Sequence, residues 1–224
     1  MTPSIVALMP MRHSSERVPG KNYRDFNGQP LFHHTVRTLL ASPQISRVVI
    51  DTDSPTIVDQ CAEHFPEVRC VDRPAHLLGG DMPMTSVLAH DAEQFPSEWY
   101  LQTHSTNPLL RPETVQAAID QLFASLDTHD SLFSVTRLQT RLYDESGAAV
   151  NHDPAVLLRT QDLPPIYEEN SNLYIFTAQQ IASGRRMGDT PIMFEIDPLE
   201  AVDIDEEHDF VIAELLHQRL RGTT

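Results

Sequence analysis

Short apolar runs alternate with helix-length amphipathic stretches along this chain, and that alternation constrains its fold more than any other feature. Ile5–Pro10 reads as a buried strand, and so do Arg47–Thr52 with its Val48-Val49-Ile50 run, Glu67–Val71, Trp99–Thr103, Ser131–Thr136 and Asn172–Phe176. Between them lie stretches with helical spacing: Leu31–Ala41, Pro55–Phe65, Met84–Gln94 and Pro112–Leu126, with Phe210–Leu220 closing the chain. Pro55 and Pro112 suit first helical positions, where the missing N–H has no partner to lose. Strand–loop–helix repetition predicts an α/β fold: three layers, with a mostly parallel sheet covered by helices on both faces. A length of 224 residues with 40% hydrophobic content fits one domain over residues 1–224. In such sheets ligands gather beyond the carboxyl ends of the strands. Those ends are the loops after Pro10, Ile50, Val71 and Leu101.

The pattern weakens over residues 138–169. Prolines at 154, 164 and 165 and mixed polar residues predict an arm standing off the sheet. The arm nevertheless carries Leu142, Tyr143, Val150, Val156, Leu157, Leu158 and Ile166. Apolar side chains on an excursion need a partner surface, and a second copy of the chain would provide one, so a homodimer is expected.

Several classes are excluded. No stretch approaches the roughly 20 apolar residues of a membrane span, and the first residues lack the pattern of a signal peptide, so a cytoplasmic protein is expected. Cys61 and Cys70 are the only cysteines, too few for a disulfide scaffold or a thiolate metal site. A formal net charge of −16 argues against a nucleic-acid polymer as partner. The charge is unevenly spread. Glu195–Asp209 holds eight acids and no Lys or Arg, whereas Arg12, Arg17, Lys21 and Arg24 cluster near only Glu16 and Asp25.

Two segments could carry chemistry. Arg12 to Asn22, after the first strand, combines long cations, hydroxyls and backbone amides in one turn, which is what a triphosphate needs. It lacks the glycine framework of a Walker-type loop, and an exposed basic loop is the plain alternative. The second segment is Val202-Asp203-Ile204-Asp205. If it is extended, the two carboxylates point to one face and could share a hard cation such as Mg2+. Equally, Asp205 could cap the helix that follows. The histidines, among them His33, His34 and His104, lack the spacing of a zinc site.

Taken in order, the motifs resemble those of the acylneuraminate (CMP-sialic acid) cytidylyltransferases. Arg12, Ser15, Arg17, Pro19, Lys21 and Asn22 match the loop after a strand ending in Pro. Val49-Ile50 with Thr52-Asp53-Ser54, Arg73-Pro74-Ala75 with Leu77 and Asp81, and Leu101-Gln102 follow. Asn170 with Tyr174, and then Glu200 to Asp205 with Asp209-Phe210, complete the series. The resemblance covers about residues 5–215 and implies a Rossmann-like nucleotidyltransferase fold with the arm in dimerisation.

It also implies roles. Arg12 and Lys21 would hold the phosphates of CTP, with Ser15, Arg17 and Asn22 in the same nucleotide-binding loop. Arg73 and the segment from Asp81 to Thr85 would line the cytidine pocket. Gln102, with Asn170 and Tyr174, would face a sugar acid of the neuraminic, pseudaminic or legionaminic type. Asp203 and Asp205 would bind Mg2+ and assist deprotonation of the attacking hydroxyl, since no protein base is evident. Three departures stand out: Ser14 and Ser171 replace glycines, Glu16 replaces a common lysine, and the loop from Gln102 to Arg111 is longer. A Kdo-type or other sugar nucleotidyltransferase, and a catalytically silent nucleotide-binding protein, are the alternatives.

Overall fold

The structure, a computed structural model, describes residues 4–221. Its strands are β1 (Ile5–Leu8), β2 (Asp25–Phe26), β3 (Gln29–Pro30), β4 (Ile45–Thr52), β5 (Arg69–Asp72), β6 (Trp99–Gln102), β7 (Ser131–Leu138), β8 (Ile166–Thr177) and β9 (Pro191–Glu195). The helices are α1 (Leu31–Leu40), α2 (Pro55–His64), α3 (Met84–Gln94), α4 (Pro112–Phe123), α5 (Ala178–Ala182) and α6 (Glu207–Arg221). Seven strands form one sheet in the order β5-β4-β1-β6-β8-β7-β9, and β2 pairs with β3 as a separate hairpin. Only β8 runs antiparallel to its neighbours. The carboxyl ends of β1, β4, β5 and β6 therefore share one edge, and the loops leaving them meet there.

Strand periodicity separates the two buried faces. Ile5, Ala7, Val48, Ile50, Leu101 and Ile175 pack under α1, α2 and α4. Val6, Leu8, Val49, Tyr100, Tyr174 and Phe176 pack under α3 and α5. A smaller cluster joins Val18, Phe26, Leu31 and Ile204 to Phe210 and Ala213 of α6. This is the mostly parallel, three-layer α/β architecture that the alternation predicts. Helix starts follow local chemistry: Ser54 Oγ accepts from Ile57 N at 3.3 Å ahead of Pro55, and Thr177 with Gln180 forms a capping box on α5.

The 138–169 boundaries need adjustment. β7 runs through Leu138 and β8 begins at Ile166, so both ends of that segment are strand and the excursion proper is 139–165. Only Tyr174 to Thr177 of β8 pair with β6. The outer halves of β7 and β8 therefore project as a two-stranded ribbon with the excursion at its tip. Within the ribbon, Phe133 pairs with Tyr174 and Val135 with Glu169, leaving Ser134 opposite four residues of β8. The bulge places Ser171 at φ 58°, a left-handed conformation that favours glycine and strains other residues.

Candidate active site

Beyond β1 the chain stays beside β4: Met9 N donates to Val49 O (2.9 Å) and Met11 N to Asp51 O (2.8 Å). His13 then turns it, its amide donating to Asp53 Oδ1 at 2.6 Å and its Nδ1 lying 2.8 Å from Ser54 Oγ. The loop returns through Gly20 at φ 64°, where an added Cβ would come within 3.0 Å of the Tyr23 ring. Asn22 closes it. Its Nδ2 donates to Arg12 O at 2.8 Å, and its Oδ1 accepts from Ser105 Oγ at 2.7 Å.

This folding builds a cleft of about 440 Å³ at the carboxyl edge of the sheet. Of the residues predicted to hold a nucleotide, Arg12, Ser15, Arg17, Lys21, Asn22, Arg73 and Asp81 line it. Thr85, in the first turn of α3, is not part of the lining, although Met84 beside it is. Asn22 lines the cleft but its amide already braces the loop.

The acidic segment meets the basic loop. Lys21 Nζ donates to Ile204 O at 2.5 Å and lies 3.7 Å from Asp205 Oδ1. Arg17 reaches Asp205 at 2.7 Å and Glu206 at 3.3 Å. Between β9 and α6, Ile204 is buried in the small core, and Ile204 N donates to Thr106 O at 3.0 Å. Asp203 and Asp205 therefore flank a buried residue. At the start of α6, Asp209 Oδ2 accepts from Asp205 N (3.1 Å) and Glu206 N (2.7 Å), tying the helix back onto the acidic segment. Glu200 is structural as well: it accepts from Arg111 N at 2.9 Å and from Thr114 Oγ1 at 2.9 Å, tying the Gln102–Arg111 loop to the acidic segment.

Asp203 fits a cation. Thr106 hydrogen-bonds its carboxylate, yet Oδ1 is buried with no partner. Burial raises the carboxyl above its ordinary value, and the neighbouring Asp205 charge adds to the rise. A hard divalent ion would satisfy the orphaned oxygen and favour the carboxylate form. The oxygen-only donor set suits Mg2+.

At the far end of the β6 loop lies a second group. Gln102 is fully buried, its Nε2 2.7 Å from His104 Nε2 and its Oε1 accepting from Arg186 Nη1 at 2.8 Å. The Arg186 guanidinium sits 3.8 Å over the Tyr174 ring and 3.7 Å from Glu169, which also accepts from the Tyr174 hydroxyl. Gln102 and Tyr174 thus come together. Asn170 does not share their contacts: its amide holds the β8 bulge through Ser134 Oγ (2.6 Å) and Thr136 Oγ1 (3.0 Å). Burial, with Arg186 and Lys21 close by, lowers the His104 imidazole to about 4. His104 lines the cleft and so links the basic loop to the Gln102 group.

Sequence reasoning passed over Arg186, Glu169 and the position of His104. One signal was available: Arg185-Arg186 is the only Lys or Arg between Arg159 and Arg219.

The family model for cytidylyltransferases matches residues 6–220. A CMP-N,N'-diacetyllegionaminic acid synthase of Legionella pneumophila is 30% identical, covering 95% of each chain. A 3-deoxy-manno-octulosonate cytidylyltransferase of Rhodopseudomonas palustris is 32% identical, but over 54% of this chain and 48% of its own. Among solved structures, a CMP:2-keto-3-deoxy-manno-octonic acid synthetase in complex with CTP superposes with a TM-score of 0.71 at 12% identity, covering 97% of this chain and 99% of the other. The fold is thus shared with that synthetase, and the match of the family model over nearly the whole length means that the chain belongs to the cytidylyltransferase family.

Proposed function

We propose that this chain transfers CMP from CTP to the anomeric hydroxyl of a sialic-acid-like sugar acid, releasing pyrophosphate. The observation that carries the reading is the junction of Lys21 with the Ile204-Asp205 segment at the carboxyl edge of the sheet. It joins Lys21, which lines the cleft together with Arg12 and Arg17, to the acidic segment, and this supports a phosphate site beside a cation site. The full-length match to a legionaminic acid synthase, against half-length matches to octulosonate enzymes, supports the sialic-acid-like acceptor over the Kdo type.

In the reaction a bond forms between the anomeric oxygen and the α-phosphorus as the bond to the bridging oxygen of the β-phosphate breaks, and the hydroxyl proton is lost. Arg12 and Lys21 would hold the triphosphate, and Arg73 with Asp81 would flank the nucleoside. Gln102 and Arg186 would orient the sugar acid, the guanidinium facing its carboxylate. Asp203 and Asp205 would hold Mg2+, which supplies charge neutralisation at the α-phosphate and acidifies a coordinated hydroxyl. Alignment and electrostatics carry most of such a transfer. We further propose one catalytic unit over the chain, a homodimer formed through the 138–169 arm, and a cytoplasmic setting. Among the described residues no helix is long and apolar enough to cross a membrane.

Asp203→Asn tests the reading. It removes a charged ligand and a buried charge while keeping the shape, so turnover is expected to fall by orders of magnitude and the melting temperature to hold or rise. Undiminished turnover of Asp203→Asn at low Mg2+ would remove the metal assignment.

A further inference from the structure

Asp51 of β4, Asp91 of α3 and Arg73 after β5 meet behind the nucleotide cleft, with exposures of 0%, 0% and 6%. Arg73 lines the cleft. Its guanidinium donates through Nε to Asp51 Oδ1 and through Nη2 to Asp51 O at 3.2 Å, and its amide donates to Thr52 O at 3.1 Å. Asp51 therefore aims Arg73. Asp51 Oδ2 and both Asp91 oxygens are buried with no basic donor on them. Ligand atoms of Asp51, Asp91 and His90 lie within 4.8 Å of one another. Two carboxylates against one guanidinium leave an uncompensated negative charge where side chains are closed off from solvent, which is costly.

We propose that Asp91 is a neutral carboxylic acid donating to Asp51 Oδ2, and that this buried hydrogen bond holds Asp51, and through it the Arg73 guanidinium, at the wall of the nucleotide cleft. The charges then balance as one acid, one carboxylate and one guanidinium, and the second Asp51 oxygen gains a donor. Burial first, then the charge and hydrogen bond of Asp51, raise Asp91 to about 9, with Arg73 opposing. The titratable and charged groups facing Asp91 are Asp51 from β4, Arg73 from the segment after β5 and His90 on its own helix. A divalent cation on Asp51, His90 and Asp91 is the rival occupant, and Arg73 already supplies the positive charge that would repel it. Asp91 is thus a positioning residue, and its role rests on the reading of Arg73 as part of the nucleotide site.

Asp91→Asn keeps a donor toward Asp51, whereas Asp91→Leu keeps the bulk and loses it. The folded state retains a proton that the unfolded chain gives up in the ordinary carboxyl range. Wild-type stability therefore declines as pH rises from about 4 toward 9, and Asp91→Asn lacks that decline. Thermal melts from pH 5 to 9 should show the Asn variant gaining steadily on wild type. A constant difference overturns the neutral acid. In steady-state kinetics Asp91→Leu should raise KM for CTP on the order of tenfold with kcat little changed, and Asp91→Asn should restore it. A folded Leu variant with wild-type KM, or an Asn variant no better than Leu, overturns the positioning role. One equivalent of metal in the wild-type protein, absent from the Asn variant, overturns the proposal in favour of a metal site. The expected melts in a protein that does not turn over CTP would uphold the acid pair and sink the nucleotide reading alone.

Discussion

Arg186 Nη1 donates to Gln102 Oε1 at 2.8 Å while its guanidinium covers the Tyr174 ring at 3.8 Å. The contact joins β6, β8 and the segment before β9, with Glu169 3.7 Å from the other terminal nitrogen. Arg186→Gln is expected to raise KM for the sugar acid by about tenfold to a hundredfold, the span of a charge-assisted contact, with KM for CTP unchanged. Arg186→Lys should recover only part, because it lacks the planar fork. Steady-state kinetics with each substrate varied check this, and an unchanged sugar KM would remove Arg186 from the site.

Lys21→Ala and Arg12→Ala address the basic loop that lines the cleft. Each removes a contact of roughly 1.5–3 kcal/mol to phosphate, so kcat/KM for CTP should fall about tenfold to a hundredfold. Lys21 also holds Ile204 O, so its loss should loosen the acidic segment and raise the Mg2+ concentration needed for half-maximal rate. Normal CTP kinetics with weakened sugar binding would mean that the loop is misassigned.

His33 and His104 make acid a liability. Burial lowers both imidazoles to about 4, His33 with help from Arg37 and His104 with help from Arg186. Below the ordinary imidazole value the unfolded chain takes up protons that the folded chain refuses, so stability is lost as pH falls from about 6.5 toward 4. Melting temperatures of a His33→Asn, His104→Asn double variant should fall less over that window than those of wild type. Equal slopes contradict the assignment.

The excursion at 139–165 presents Leu157 at 89% exposure, with Val150, Val156 and Tyr143 also exposed. Such side chains together call for a cover. Light scattering at micromolar concentration should give twice the single-chain mass, and Leu157→Asp should shift it toward one chain. A wild-type particle of single-chain mass with full activity rules out the dimer as a requirement.

The strands and helices around the sheet centre were legible because their periodicity is carried by fully buried residues such as Val49, Ile50 and Leu101. The first half of β8 was not. Tyr167, Glu168 and Glu169 are exposed and become strand only by pairing with β7. β9 was hidden for a similar reason: it is an edge strand opened by Pro191, with Ile192 its one buried residue. At the site, the basic loop and the Asp203–Asp205 pair announced themselves by local chemistry. Arg186 did not, because its partners Gln102 and Tyr174 are brought to it only by the fold. Ser171 shows the converse: a position where the resemblance implies glycine is also the one where the backbone turns left-handed.

Product analysis tests the central claim most directly. The purified chain, CTP and Mg2+ are incubated separately with neuraminic, legionaminic, pseudaminic and octulosonic acids, and phosphorus NMR follows the nucleotide. The predicted result is stoichiometric pyrophosphate together with a new CMP phosphodiester for at least one nine-carbon acid, dependent on Mg2+ and absent with UTP. CTP unchanged with every nine-carbon acid while the octulosonic acid is converted, or unchanged with all four, would contradict it.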